Sequence, residues 1–186
     1  RQLHGTEFLA MPTLETREVF DRTEMFEMVR HLDRDSVRSR IPVIRIGGND
    51  LLSLIGMRRP VGRTIYETPI GQVISSLVTT FCPYGFSLSA PVFEYLNDFS
   101  TLAREVDQDL AHGLVGKTAI HPDQVPHIEY LYKVTAKDVD VAQMILAKEA
   151  PAVFNFHEAM CEPATHSVWA RRVLDAAEHF GLKDDS

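Results

Sequence analysis

Two acidic residues, Glu15 and Asp50, each follow the C-terminal end of a predicted strand. Parallel α/β folds gather ligands and catalytic groups at that end of the strands, so carboxylates from two neighbouring strands are expected to converge there. Mg²⁺ prefers oxygen ligands and usually takes one or two protein carboxylates together with water and substrate. The pair is therefore a candidate magnesium site.

The same two residues allow a structural interpretation. Glu15 can pair with Arg17 or Arg45, and Asp50 can serve only as the N-cap of the helix that follows it. Spacing alone leaves both interpretations open.

Residues beside the two acids are candidates for binding an anionic substrate. Gly47 and Gly48 allow close approach to the backbone and precede a helix whose free N–H groups favour a carboxylate, or they form a plain turn. Arg45 alternates with Ile41 and Val43, so we expect its cation to face the inside of a barrel.

The stretch 113–126 predicts a strand (114–120), a stop at His121-Pro122 and a helix (123–133). Lys117 and His121 can hold anionic parts of a substrate or of coenzyme A. Lys117 can equally be a solvated strand tip.

A rival set of potential ligands lies near the C-terminus. His157 and Cys161 are four residues apart on a predicted helix, a spacing that suits a zinc pair, with Glu158, Glu162 and His166 nearby. This pattern favours a zinc hydrolase as a third hypothesis.

The elements that must position these residues alternate between strand and helix. Strands are predicted at 7–11, 41–47, 86–92 and 114–120, and helices after each of them, including 70–81 and 95–112. The remainder is predicted to be helical, over 123–133, 136–150, 152–160 and 163–180. This order indicates a parallel sheet with right-handed crossovers.

Composition excludes several classes of protein. The 186 residues are 45% hydrophobic and carry a net charge of −7, which disfavours binding to nucleic acid or an anionic membrane. No apolar run approaches the ~20 residues that span a bilayer. The two cysteines are far apart, so we predict a reducing cytoplasm. The sequence begins with Arg, which is consistent with part of a longer protein.

Three motifs together resemble the citrate lyase β-subunit and malyl-CoA lyase superfamily, and most of all its branch associated with tellurium-resistance clusters. Pro12-Thr-Leu-Glu15-Thr16 is similar to its P-x-x-E-T strand end, and Gly47-Gly-Asn-Asp50-Leu to its G-x-x-D-L strand end. Gly116-Lys-Thr-Ala-Ile-His-Pro-Asp-Gln124 resembles its last βα unit.

The resemblance implies a (β/α)8 barrel of which this chain holds the last four βα units. Residues 1–134 would form that half barrel, and residues 135–186 a helical extension that packs on the barrel or on a neighbouring subunit. A small open α/β sheet complete in itself is the alternative.

The resemblance also implies a function and further site residues. Glu15 and Asp50 would hold Mg²⁺ while a C–C bond is cleaved or formed beside a 2-hydroxy- or 2-oxo-carboxylate or its CoA thioester, through an enolate. Glu162 aligns loosely with an Asp-Pro element that reaches a neighbouring active site, so it is a candidate acid or base in trans; otherwise it caps a helix. A homotrimer or its multiple is implied. The second hypothesis is a non-catalytic assembly subunit that keeps the fold.

Overall fold

The computed structural model describes residues 8–157 and 159–183. The chain divides into two compact units, one reaching residue 128 and the other starting at residue 129. The sequence-based boundary at 134 stays a prediction. The strands are β1 (Thr13–Leu14), β2 (Ile44–Ile46), β3 (Leu88–Ser89), β4 (Phe154–Phe156) and β5 (Ala159–Cys161).

Helices make up most of the described chain. Short 3-10 turns lie at Arg17–Phe20, Ile65–Glu67 and Cys82–Tyr84. The α-helices are α1 (Arg22–Leu32), α2 (Asp35–Arg38), α3 (Gly48–Leu54), α4 (Ile70–Phe81), α5 (Phe99–Ala111), α6 (Gln124–Tyr132), α7 (Ala136–Leu146) and α8 (Pro163–Phe180).

The first unit is built on a parallel sheet in the order β1-β2-β3. A parallel bridge between Ala90 and Lys117 continues the sheet to the fourth predicted strand region. Helices α1 and α2 connect β1 to β2, and helices α3 and α4 connect β2 to β3, as the βα alternation predicts.

The core of the first unit lies between this sheet and the helices. Helix α4 buries Ile70, Ile74, Leu77 and Phe81 at helical spacing, so one apolar stripe faces the sheet. On β2, Ile44 and Ile46 are buried in the same core, which places Arg45 on the opposite face of the sheet.

Some strands and helices begin at residues other than those predicted, because strand pairing or helix capping fixes where they start. The first strand, predicted at 7–11, is Thr13–Leu14; Glu7 lies outside the described residues. Pairing with β2 begins where the Pro12 carbonyl accepts from Arg45 N–H at 2.8 Å. Helix α5 starts at Phe99 because Asp98 caps it, accepting from Thr101 N–H at 3.0 Å.

The second unit corrects one predicted helix. Residues 152–160 were expected to be helical, but β4 and β5 form an antiparallel hairpin there, with Phe154 opposite Cys161. The turn residue His157 has φ 49, which no helix permits. The hairpin buries Cys161 in a core with residues of α7 and α8, among them Ala142, Ile145, Ala170 and Val173. The extension is therefore mixed rather than wholly helical.

Among the described helices, none has both the length and the apolar character required to cross a membrane.

Candidate active site

The register of β1 on β2 places Glu15 beside Gly47. Leu14 is the Cα partner of Ile46, and Gly47 N–H donates to the Leu14 carbonyl at 2.9 Å. The residues that follow this pair therefore leave the sheet next to each other. A Cβ on Gly47 would stand only 2.5 Å from Glu15 Cβ, so the glycine is what makes room for the acidic side chain.

Asp50 reaches the same place from helix α3. Gly47 is the N-cap of this helix, and Asp50 lies in its first turn, where a carboxylate interacts favourably with the helix dipole. Glu15 Oε2 and Asp50 Oδ2 lie 3.1 and 3.2 Å from the position that a Cβ on Gly47 would take. Both carboxylates thus border one small space over Gly47.

Neither carboxylate has the structural role that the sequence left open. Helix α3 has no side-chain cap, and Arg17 pairs with Glu18 instead of Glu15. Within the described ranges, the side-chain carboxylates of Glu15 and Asp50 form no hydrogen bond or salt bridge, and both residues are exposed. Two unpaired anions that share a space repel each other, and a cation between them removes that repulsion.

The donor set fits Mg²⁺. Two carboxylates open to solvent leave positions for water and for substrate oxygens, which is the arrangement that Mg²⁺ prefers. No cluster of three or more His, Cys, Asp or Glu side chains suited to a metal occurs in the described part of the chain.

Gly48 packs closely against the 3-10 turn that begins at Ile65 and against the segment after β3. A Cβ at this position would stand 2.5 Å from Ile65 Cδ1 and 2.7 Å from Pro91 Cβ. Glycine therefore lets the start of α3 approach both loops more closely than any other residue would allow.

Arg45 lies on β2, the middle strand of the three-stranded sheet. Its Cα partners are Thr13 on β1 and Ser89 on β3, so a polar row crosses the face of the sheet opposite the core. Arg45 is half-buried there. That its cation faces the inside of a barrel stays a prediction.

Lys117 and His121 have acidic partners other than Glu15 and Asp50. Lys117 Nζ donates to Glu105 Oε1 at 2.8 Å and to Asp109 Oδ2 at 2.9 Å, with all three side chains 0% exposed. His121 is exposed and accepts from Asp123 N–H at 3.2 Å. The ammonium of Lys117 is thus neither a solvated tip nor open to a substrate.

Glu162 immediately precedes α8 in the second unit. Its carboxylate accepts from Thr165 Oγ1 at 3.1 Å, and its backbone N–H donates to His166 Nδ1 at 3.1 Å. The side chain makes no capping bond to the helix backbone. A role in trans stays a prediction.

The proposed zinc pair loses its geometric basis. His157 occupies the hairpin turn and Cys161 lies in β5, 2% exposed, so the two do not share a helix face. Glu158, a further member of that set, lies outside the described residues.

Sequence reasoning missed a buried charge cluster formed by Arg59, Glu105, Asp109 and Lys117. Arg59 Nη1 lies 2.9 Å from Glu105 Oε2, and both side chains are 0% exposed. Burial raises the pKa of the Asp109 carboxyl above its ordinary value, although Lys117 opposes that shift. One signal was available: two acids at 105 and 109 interrupt the buried stripe of α5 that contains Leu102 and Val106.

Comparison with known proteins identifies the family. Residues 1–182 match the family described as C–C bond lyase of the TIM-barrel fold. The chain belongs to this family. The match confirms the resemblance recognised in the three motifs and the partial-barrel interpretation of the fold. A search of curated proteins found no match.

Solved structures share the fold of this lyase family. Protein CitE from Mycobacterium tuberculosis, in complex with magnesium, acetoacetate and coenzyme A, is 21% identical with a TM-score of 0.65, over 91% of this chain and 61% of that one. A citrate lyase from Burkholderia xenovorans LB400 is 18% identical with a TM-score of 0.66, over 94% and 54%. RipC from Yersinia pestis is 19% identical with a TM-score of 0.57, over 70% and 54%. The chain thus spans little more than half the length of these relatives.

Proposed function

We propose that this chain carries the metal-binding half of a Mg²⁺-dependent carbon–carbon bond lyase. The observation that carries the proposal is the convergence of two unpaired carboxylates, Glu15 and Asp50, on the space over Gly47. Membership of a C–C bond lyase family supplies the reaction class.

Glu15 and Asp50 would hold the ion through carboxylate oxygens. When bound, Mg²⁺ supplies positive charge that stabilises the negative charge developing on a substrate oxygen as the C–C bond breaks. Two protein carboxylates neutralise a divalent ion without making the site anionic, so they add no net repulsion to the charge that develops on the substrate oxygen.

The substrate is proposed to be a 2-hydroxy- or 2-oxo-carboxylate or its CoA thioester. Gly47 and Gly48 keep side chains away from the space in which such a substrate would meet the ion. Arg45, on the face of the sheet away from the core, would attract its anionic part. The CitE structure that contains acetoacetate and coenzyme A supports the broader class of a carboxylate or acyl-CoA substrate.

The remaining assignments are narrower. His121, whose side chain is 43% exposed beside Asp123, is kept as a candidate for binding an anionic group, whereas Lys117 is left out of the proposed site because the buried acids hold its ammonium. Glu162 is proposed as an acid or base that acts in a neighbouring copy. A cytoplasmic homo-oligomer, a trimer or a multiple of it, is the proposed assembly.

A second candidate is an assembly subunit that keeps the lyase fold without turnover. The observation that favours it is that the chain spans 54–61% of the length of CitE and the Burkholderia citrate lyase. Such a subunit would bind its partner and contribute at most half of an active site.

One experiment separates these functions. Mg²⁺ binding is measured by calorimetry on the wild type, Glu15→Gln and Asp50→Asn, together with cleavage of citryl-CoA and malyl-CoA. Binding that both substitutions abolish, with Mg²⁺-dependent cleavage, supports the lyase. Absence of both Mg²⁺ binding and cleavage, with binding to a partner subunit retained, supports the assembly subunit. Absence of binding to the folded wild type would contradict the metal site.

A further inference from the structure

The buried pair of Arg59 and Glu105 makes two hydrogen bonds to the backbone, one to the 3-10 turn Ile65–Glu67 and one to the segment after β3. Ile65 N–H donates to Glu105 Oε2 at 2.7 Å. Arg59 Nη2 donates to the Val92 carbonyl at 2.9 Å. The pair therefore holds the loop before α4 and the loop after β3 from inside the protein.

The two loops meet at the start of helix α3. Ile65, whose N–H is held by Glu105, places its Cδ1 2.5 Å from the ideal Cβ position of Gly48. Pro91, the neighbour of Val92, places its Cβ 2.7 Å from the same position. Gly48 is the first residue of α3, two residues before Asp50.

We propose that Arg59 and Glu105 are positioning residues for the divalent-metal site. By fixing Ile65 and Pro91 against Gly48, they set where α3 begins, and so where Asp50 stands relative to Glu15. This inference rests on the proposed function, in which those two carboxylates bind the ion. Neither Arg59 nor Glu105 touches the ion.

A charged pair suits this purpose better than an apolar contact. Its hydrogen bonds are directional, and movement that separates the two side chains leaves a charge uncompensated in a low-dielectric interior. The loops held by the pair therefore resist displacement, whereas apolar side chains in the same place would permit sliding.

The test measures Mn²⁺ affinity by electron paramagnetic resonance, with Mn²⁺ as the probe for the Mg²⁺ site. Glu105→Gln is compared with Asp109→Asn, since each removes one buried carboxylate from Lys117 and only Glu105 holds Ile65 and Arg59. Substitution of a residue that supports a metal ligand typically lowers metal affinity by about tenfold or more. We expect that loss for Glu105→Gln and wild-type affinity for Asp109→Asn.

A gentler pair of variants keeps the test decisive if Glu105→Gln does not fold. Ile65→Val deletes only Cδ1, the atom nearest Gly48, and Ile74→Val deletes the same atom from an equally buried residue of α4. Both should lower thermal stability to a similar degree. Only Ile65→Val should weaken Mn²⁺ binding, which a merely structural role would not produce.

The outcomes distinguish this inference from the proposed function. One result would overturn the positioning role alone. In it, Glu15→Gln and Asp50→Asn abolish Mn²⁺ binding, whereas Ile65→Val and any folded Glu105→Gln bind Mn²⁺ like the wild type. A folded wild type that binds no Mn²⁺ would overturn the metal site and the positioning role with it.

Discussion

Glu15 Oε2 and Asp50 Oδ2 lie within 3.2 Å of a single point, the position that a Cβ on Gly47 would occupy. The two acids are far apart in the sequence, and the pairing of β1 with β2 brings them together. The absence of a side chain at residue 47 is therefore part of the proposed site.

Gly47→Ala is expected to impair metal binding. The new Cβ would stand 2.5 Å from Glu15 Cβ, a contact that only a backbone shift relieves. Overpacking of this kind costs about 1–3 kcal/mol in free energy of unfolding. Calorimetry with Mg²⁺ should show a lower affinity as well.

Gly116→Ala is the matched control for that substitution. Nothing lies within 4 Å of an added Cβ there. It should bind Mg²⁺ like the wild type, and an equal loss of affinity in both variants would contradict a specific role for Gly47.

Asp50→Asn should abolish metal binding without destabilising the metal-free protein. Since Asp50 is exposed and forms no hydrogen bond or salt bridge with described residues, the free energy of unfolding should change by less than about 0.5 kcal/mol. Urea denaturation with a chelator present measures this.

Asp98→Ala provides the opposite result. Asp98 caps α5 through Thr101 N–H, and loss of such a cap costs about 1 kcal/mol. This variant should lose stability and keep its metal affinity. A large stability loss in Asp50→Asn would indicate that Asp50 has a structural role instead.

The buried Asp109 makes stability depend on pH in a defined direction. Its pKa is raised in the folded protein, so the folded state binds the proton more tightly than the unfolded state does. The stability that this proton provides is complete below the unfolded pKa, near 3.8, and is lost as the pH rises through the higher folded pKa. Asp109→Asn removes this term.

The difference in unfolding free energy between wild type and Asp109→Asn should therefore move in favour of the variant as the pH rises above about 4. Urea titrations at several pH values between 4 and 7 measure it, and titrating groups distant from Asp109 cancel in the difference. A trend in the opposite direction would show that the pairing with Lys117, and not burial, dominates the pKa of Asp109.

The hairpin turn predicts an unusual order of stability at residue 157. At φ 49 an alanine is unfavourable by about 1–2 kcal/mol, whereas glycine accepts that conformation. His157→Gly should therefore unfold at a higher temperature than His157→Ala. The reverse order, with alanine the more stable, is what a helix over 152–160 would give.

Local patterns in the sequence determined much of the first unit. The apolar stripe of Ile70, Ile74, Leu77 and Phe81 predicts α4 because helix periodicity needs no partner to be recognised. The β-branched run before Gly47 predicts β2, and the sites of Glu15 and Asp50 follow from their places after strands. The family motifs then predicted the C–C bond lyase family, which the comparison confirms.

Local patterns failed where distant residues decide the outcome. The hairpin of β4 and β5 has His157, not glycine or asparagine, at the left-handed position of its turn, so its turn gives no clear signal. The sequence left Lys117 as either a substrate-binding cation or a solvated strand tip, because its contacts with Glu105 and Asp109 of α5 depend on tertiary packing.

By itself, the sequence determined which residue types stand at strand ends and which helix faces are apolar, since both depend on neighbours within a few positions. Only the tertiary structure decided that Glu15 and Asp50 share one space and that Lys117 is enclosed by acids. The physical reason is that strand register and helix packing join residues tens of positions apart, and the energy of burying or pairing a charge depends on what those contacts bring together.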